Sequence, residues 1–200
     1  MGLLSLDIQR PAFSQSDDSS LKYHRLLDRA MARDSSLTLA DYENLYRNYV
    51  KHPGYKPGHQ KARLAELDSA LTKRKFSEAA NIGEALFKEA PFMLGVALTM
   101  YTCYSELGQY SKARSYQRHF QNLLTVICNT GDGSSASEAL FLLYQEDEPY
   151  LLDYLSLSPK ERKVVDGRFA VYTLESPNER GLKKIFFDIE NPLSYYVVKE

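Results

Sequence analysis

Apolar side chains recur at helical spacing over the first three quarters of this chain and at strand spacing near its end. Leu21, His24, Leu26, Leu27, Ala30 and Met31 make one stripe, which predicts an amphipathic helix ending near Arg33. The next start is better marked. Thr38 precedes Asp41 by three residues in a capping-box arrangement, and Leu39, Tyr42, Leu45, Tyr46 and Tyr49 then line one face. Two proline turns in His52-Pro-Gly-Tyr-Lys-Pro-Gly58 stop that helix. Residues 1–18 carry turn composition without periodicity and are expected to form a flexible arm, with capping helices over 19–58.

Residues 59–128 read as four helices, and comparing the chain with itself shows how they are organised. A shift of 34 lays Phe76-Ser-Glu-Ala79 on Tyr110-Ser-Lys-Ala113 and Ala70 on Tyr104. That period is the one of the tetratricopeptide repeat, a pair of antiparallel helices with a glycine turn and small residues where backbones approach. Gly108-Gln-Tyr110 with Ala113 fits the pattern. In the first copy Arg74 stands where the turn glycine belongs, and the chain has no tryptophan for the consensus position. Ala113 is therefore expected at a close helix crossing.

Further on, Asn129-Thr-Gly-Asp-Gly133 reads as a loop, and Ser135 with Glu138 reads as the box of a new helix through Ala139, Leu140, Leu142 and Leu143, so that 129–160 is expected to be helical. The loop lacks the lysine of a phosphate cradle. The acidic run Glu146-Asp147-Glu148 is read as a solvated connection rather than a metal site. From 161 to 200 the pattern is that of a β-meander. Asp166-Gly167 between β-prone runs is a hairpin signal, Ser176–Gly181 a second turn, and Lys184–Ile189 a third strand. Phe169, Val171, Ile185 and Phe187 are expected to form its apolar face. The predicted fold class is mainly α, a tetratricopeptide-like antiparallel helix stack with a small C-terminal antiparallel β-meander (α+β).

Composition narrows the function. Lys and Arg number 25 against 26 Asp and Glu, for a net charge of −1, so there is no basic footprint for nucleic acid or anionic lipid. The nearly apolar run Met93–Tyr101 is far shorter than the roughly 20 residues that span a bilayer, so no membrane insertion is expected. The start, MGLLSLDIQRP, lacks a signal-peptide pattern. The expected compartment is the cytoplasm, or the periplasm or exterior if a leader has been removed. Cys103 and Cys128 form no CxxC pair. On antiparallel helices about Gly108 they lie roughly 20 Å apart along the axis, beyond the limit of about 7 Å for a disulfide.

Several segments together resemble a bacterial family of domains of unknown function in which a short tetratricopeptide-like array precedes a C-terminal strand module. The resemblance rests on Leu37-Thr-Leu-x-x-Tyr42-x-x-Leu45-Tyr46-x-x-Tyr49, Pro53-Gly-Tyr55-x-Pro57, Gly131-Asp-Gly133, and Val165-Asp-Gly167 through Pro177-Asn-Glu-x-Gly181 to Phe186-Phe-Asp188. It implies an export signal, which this sequence does not show. It implies no activity.

Chemistry-bearing motifs are missing: His24, His52, His59 and His119 are scattered, and there is no zinc spacing, nucleophile elbow or Walker loop. No cofactor or metal is expected. The unusual feature is 15 tyrosines, whose rings suit both cores and binding surfaces. The first expectation is a non-catalytic protein-interaction module. Its helical groove would take a protein or peptide partner on Tyr46, Tyr49, Asp68, Thr72, Thr102 and Glu106. The alternative is an immunity-type inhibitor of a secreted toxin, which a compact acidic patch would favour. An enzyme comes third and would need a carboxylate such as Asp132 or Asp188 with a perturbed pKa in a cleft.

Overall fold

The computed structural model describes residues 15–197, with side chains from 20 to 195. The first helix, α1 (Gln15–Met31), begins inside the stretch assigned to a flexible arm, and the rest of that arm lies outside the described residues. Thr38 caps α2 (Leu39–Asn48) with the full reciprocal box: its hydroxyl accepts the Asp41 amide, and the Asp41 carboxylate accepts the Thr38 amide at 2.9 Å. A 3-10 turn, Tyr49–Lys51, runs into the proline segment.

Two helical hairpins follow, α3 (Lys61–Thr72) with α4 (Phe76–Glu89), and α5 (Leu94–Glu106) with α6 (Tyr110–Cys128). Three-residue connections fold each pair back on itself. The turns match atom for atom in their bonding. Arg74 and Gly108 sit in the left-handed region at φ 55° and 69°. The following amide returns to Ala70 O at 2.9 Å in one and Tyr104 O at 2.8 Å in the other. These are Schellman caps, and Arg33 and Ser156 close α1 and α7 (Glu148–Tyr154) in the same way. Arg33 is held in this costly conformation by its side chain, which lies over the Tyr116 ring at 4.2 Å and donates to the Tyr116 hydroxyl at 3.0 Å. Ala113 is buried on α6.

The C-terminal part is a four-stranded mixed sheet in the order β1-β4-β3-β2, so the fold is α+β. β2 (Pro159–Val165), β3 (Phe169–Leu174) and β4 (Lys184–Asp188) form the expected antiparallel meander. Asp166 and Gly167 both adopt positive φ, as their sequence requires. Three sequence expectations are corrected. Leu140–Phe141 is a strand, β1, paired parallel with Phe187–Asp188, and no helix starts at Ser135. A short apolar run is compatible with either element, and the pairing that decides it lies 47 residues away. Residues 190–197 form α8 (Glu190–Val197) rather than part of the meander. Finally, the register places Ala170 and Tyr172 opposite Phe187 and Ile185, so these make the buried face together with Leu174. Phe169 and Val171 point to the other face, opposite Asp188 and Phe186. β3 is apolar at almost every position, so its period alone selects no face.

The loop before β1 explains its two glycines. A Cβ on Gly131 would lie 2.3 Å from Glu138 O, and one on Gly133 2.3 Å from the Ile185 side chain. Gly133 sits at φ 72° and its carbonyl accepts the Phe186 amide at 2.9 Å, which extends the sheet contact. The buried sheet residues belong to the same core cluster as Leu86, Phe87, Met100 and Tyr116 of the helices.

Candidate functional site

Of the six residues expected to line a groove, the structure separates two from the rest. Tyr46 and Tyr49 are buried in the core. The Tyr46 hydroxyl donates to Phe141 O at 3.4 Å and accepts the Leu143 amide at 3.2 Å, fastening α2 to the start of the sheet. Tyr49 packs edge-on to Phe92 and Tyr55 and stacks on His52 at 5.3 Å. The tyrosine stripe marks a core edge here: the Tyr42 hydroxyl meets the His119 ring, that of Tyr46 meets the backbone, and the Tyr49 ring packs among other rings.

Asp68, Thr72, Thr102 and Glu106 are exposed, the first two on α3 and the others on α5. Thr72 donates to Asp68 O at 2.8 Å and Thr102 to Leu98 O at 3.2 Å, so both hydroxyl protons are turned onto their own helices. Glu106 lies 3.5 Å from Arg74. Asp68 lines a cavity of about 440 Å³ between α3, the start of α5 and α7. Leu64, Ala65, Met93, Gly95, Pro149 and Tyr150 make its largely apolar wall, with Asp68, Glu146 and Lys61 as charges. Glu146 Oε2 is buried there without a hydrogen-bond partner. Burial, and then the charges of Asp68 and Asp147, push the Tyr150 hydroxyl above its ordinary range.

The acidic run, expected to be solvated, is instead the joint between helices and sheet. Asp147 is fully buried and its two carboxylate oxygens accept the Leu94 and Gly95 amides at 3.0 Å, capping α5. Burial outweighs those two bonds and raises its carboxyl to about 7. Glu148, also buried, receives both Nε and Nη2 of Arg162 at 2.7 and 2.8 Å and the Tyr172 hydroxyl at 2.7 Å. The Glu148 hydrogen bond holds the guanidinium, and burial followed by that hydrogen bond holds the phenol, protonated beyond their usual ranges. Nothing in the sequence near 146–148 signals this, because every partner is distant along the chain.

Three of the four histidines gather about a cleft between α1, the 3-10 turn and the proline segment. Two cavities, of about 650 and 660 Å³, share His24 and His52, and the second also reaches His59. His24 and His52 rings lie 5.7 Å apart. His52 Nδ1 accepts the Gly54 amide at 3.0 Å, which leaves its proton on Nε2. Burial and the neighbouring His24 depress its pKa. Among the described residues no three His, Cys, Asp or Glu side chains come together as a metal cage would need. His119 stands apart as a core residue, bonded to the Tyr42 hydroxyl at 2.9 Å and to Pro91 O at 2.8 Å, and burial lowers it to about 4.

The remaining candidates sit in ion pairs or in buried and half-buried positions. Asp132 is held down at about 2 by Ser134 and by Arg180, its ion-pair partner at 2.6 Å. Asp188 pairs with Arg168 at 2.7 Å. Cys103 and Cys128 are free thiols, both raised by burial. No described helix is long and apolar enough to cross a membrane.

Comparison with known proteins finds no matching curated protein and no matching solved structure. One family profile does match, over residues 13–197, and on that extent the chain belongs to the family described as Domain of unknown function (DUF4919).

Proposed function

We propose that this chain is a non-catalytic interaction module. Its receptor surface is the exposed side of the tetratricopeptide-like helices α3 and α5, and its partner is a protein segment with a basic side chain beside an apolar one. The observation that carries this reading is the α3/α5 cavity: an apolar wall of Leu64, Met93 and Tyr150, with the exposed Asp68 carboxylate at its edge and an unpartnered Glu146 oxygen within it. A buried acceptor without a donor is costly, and a lysine or arginine head from a partner would supply the donor while its stem covers the apolar wall. Thr72, Thr102 and Glu106 are further exposed polar positions on the same two helices. An immunity-type inhibitor is the second reading and would call for an exposed acidic patch, to which the buried Asp147 and Glu148 do not contribute.

Selection from a random peptide library on the purified chain tests this. Enriched peptides should pair Lys or Arg with a large apolar residue and should lose at least tenfold in affinity for Asp68→Lys, with the variant's melting point unchanged. Peptides without a basic residue, or binding indifferent to Asp68→Lys, would overturn the proposal.

A further inference from the structure

The cleft about His24 and His52 lies on residues that the α3/α5 reading does not use, and its chemistry is opposite. The 650 Å³ lobe is lined by Lys22, His24, Asn44, Asn48, Lys51 and His52, together with Ser20, Tyr23 and Pro53, and has no carboxylate among the described residues. In a chain with one more acid than bases, a cavity wall of two lysines, two histidines and two carboxamides is a local concentration of donors. Neither lysine forms an ion pair among the described residues. Asp41 feels the charge of Lys22, but Thr38 already occupies its carboxylate. His52 is pinned by Gly54 with a donor, Nε2–H, as its remaining polar atom.

The 660 Å³ lobe on the other side of the histidine pair has mixed charge, with Asp28, Lys56, Lys88 and Glu89 on its lining. It also ends on Gln60, which is 2% exposed and whose amide oxygen has no hydrogen-bond partner. An orphaned buried acceptor marks a place where a donor is wanted. One lobe therefore offers donors to an anion, and the other offers an acceptor to a hydroxyl or amine.

We propose that this two-lobed cleft binds a small phosphorylated polyol, with its phosphate against Lys22, Lys51 and His52 and a hydroxyl toward Gln60. A compact ion facing two ammonium groups and an imidazole N–H is the setting in which charge-assisted bonds are strongest. The size of each lobe suits a ligand larger than a bare ion.

Calorimetric titration with ribose 5-phosphate, inorganic phosphate and ribose separates the two lobes. Ribose 5-phosphate should bind most tightly, inorganic phosphate at least tenfold more weakly, and ribose more weakly still. Lys22→Ala with Lys51→Ala, both exposed positions, should weaken the two phosphates at least tenfold. Gln60→Leu should reduce ribose 5-phosphate to the level of inorganic phosphate and leave the latter alone. Ring resonances of His24 and His52 should shift on titration while those of His119 stay fixed, which reports the location even if one variant folds poorly. Absence of binding at millimolar concentration, equal affinity for phosphate and ribose 5-phosphate, or shifts confined to other residues would each overturn the proposal. Vesicles of anionic lipid serve as a further arm. Binding to them with none to ribose 5-phosphate would also count against it.

Discussion

Between α3 and α6 the chain is held by the apolar and aromatic packing of two helical hairpins, whereas the sheet, besides its apolar face, meets the helices at two neighbouring buried carboxylates. In the helical hairpins, Ala79, Leu86, Phe87, Ala113 and Tyr116 are buried together, and the buried imidazole of His119 is kept neutral. At the joint, Asp147 caps a helix that begins 53 residues earlier and Glu148 draws in Arg162 and Tyr172 from two strands. Apolar packing tolerates small errors over many contacts. A buried carboxylate depends on each of a few donors, so the loss of one leaves a charge without compensation.

The sharpest way to break the comparison is Glu148→Ala, which strands Arg162 and the Tyr172 hydroxyl. It should cost about 1.5 to 3 kcal/mol in urea unfolding, the loss of charge-assisted hydrogen bonds whose Arg162 partner can turn to water. An effect below about 1 kcal/mol would mean that the sheet is held by its apolar face alone. In the array the corresponding test is Ala113→Leu, which overfills a buried crossing and should cost about 1 to 3 kcal/mol. An unchanged melting point would show that α6 does not approach its neighbour there.

Acidity distinguishes the regions further. Asp147, raised to about 7 by burial, favours folding most when protonated, so its contribution is full below pH 4 and is lost as pH rises toward 7. His119, lowered to about 4, contributes fully above pH 6.5 and loses its contribution as pH falls. Between pH 4 and 6.5 the slopes oppose, and the urea midpoint of the intact chain should change little. Asp147→Asn should unmask a midpoint that climbs with pH over that interval. A flat profile in the variant would show that His119 is not the opposing group. The smallest effect is expected from Arg74→Gly. Relieving a side chain at φ 55° should stabilise the first hairpin by about 0.5 to 1 kcal/mol. A destabilised variant would show that the Arg74 contact with the Phe76 ring outweighs the strain.

The same contrast explains what could be read from sequence. The helices, the Thr38 box, the turn at Gly108 and the Asp166-Gly167 hairpin rest on residues within a few positions of one another, so periodicity and turn chemistry suffice. The 34-residue shift even placed Arg74 in a glycine's role, and its positive φ agrees. The joint was misread because Glu146-Asp-Glu148 resembles any solvated acidic run until Arg162 and Tyr172 are brought to it. Leu140–Phe141 was misread because a two-residue strand has no period. Of the six groove candidates, Asp68, Thr72, Thr102 and Glu106 are exposed, as positions opposite a core face are, while Tyr46 and Tyr49 belong to the core itself. The cleft beside His24 and His52 joins residues from either side of α2, and no spacing announces it.

The parallel pair of β1 with β4 sets an order of events in time. The hairpin at Asp166-Gly167 closes over a few residues and can form within microseconds, as can the helical turns. Leu140 cannot meet Phe187 until the intervening 46 residues have been made and folded back, which puts this pairing late on grounds of chain entropy. During synthesis the helices therefore emerge with Leu140 and Leu142 still lacking their partners on β4. A nascent chain stalled before residue 184 should recruit chaperones that the completed chain does not.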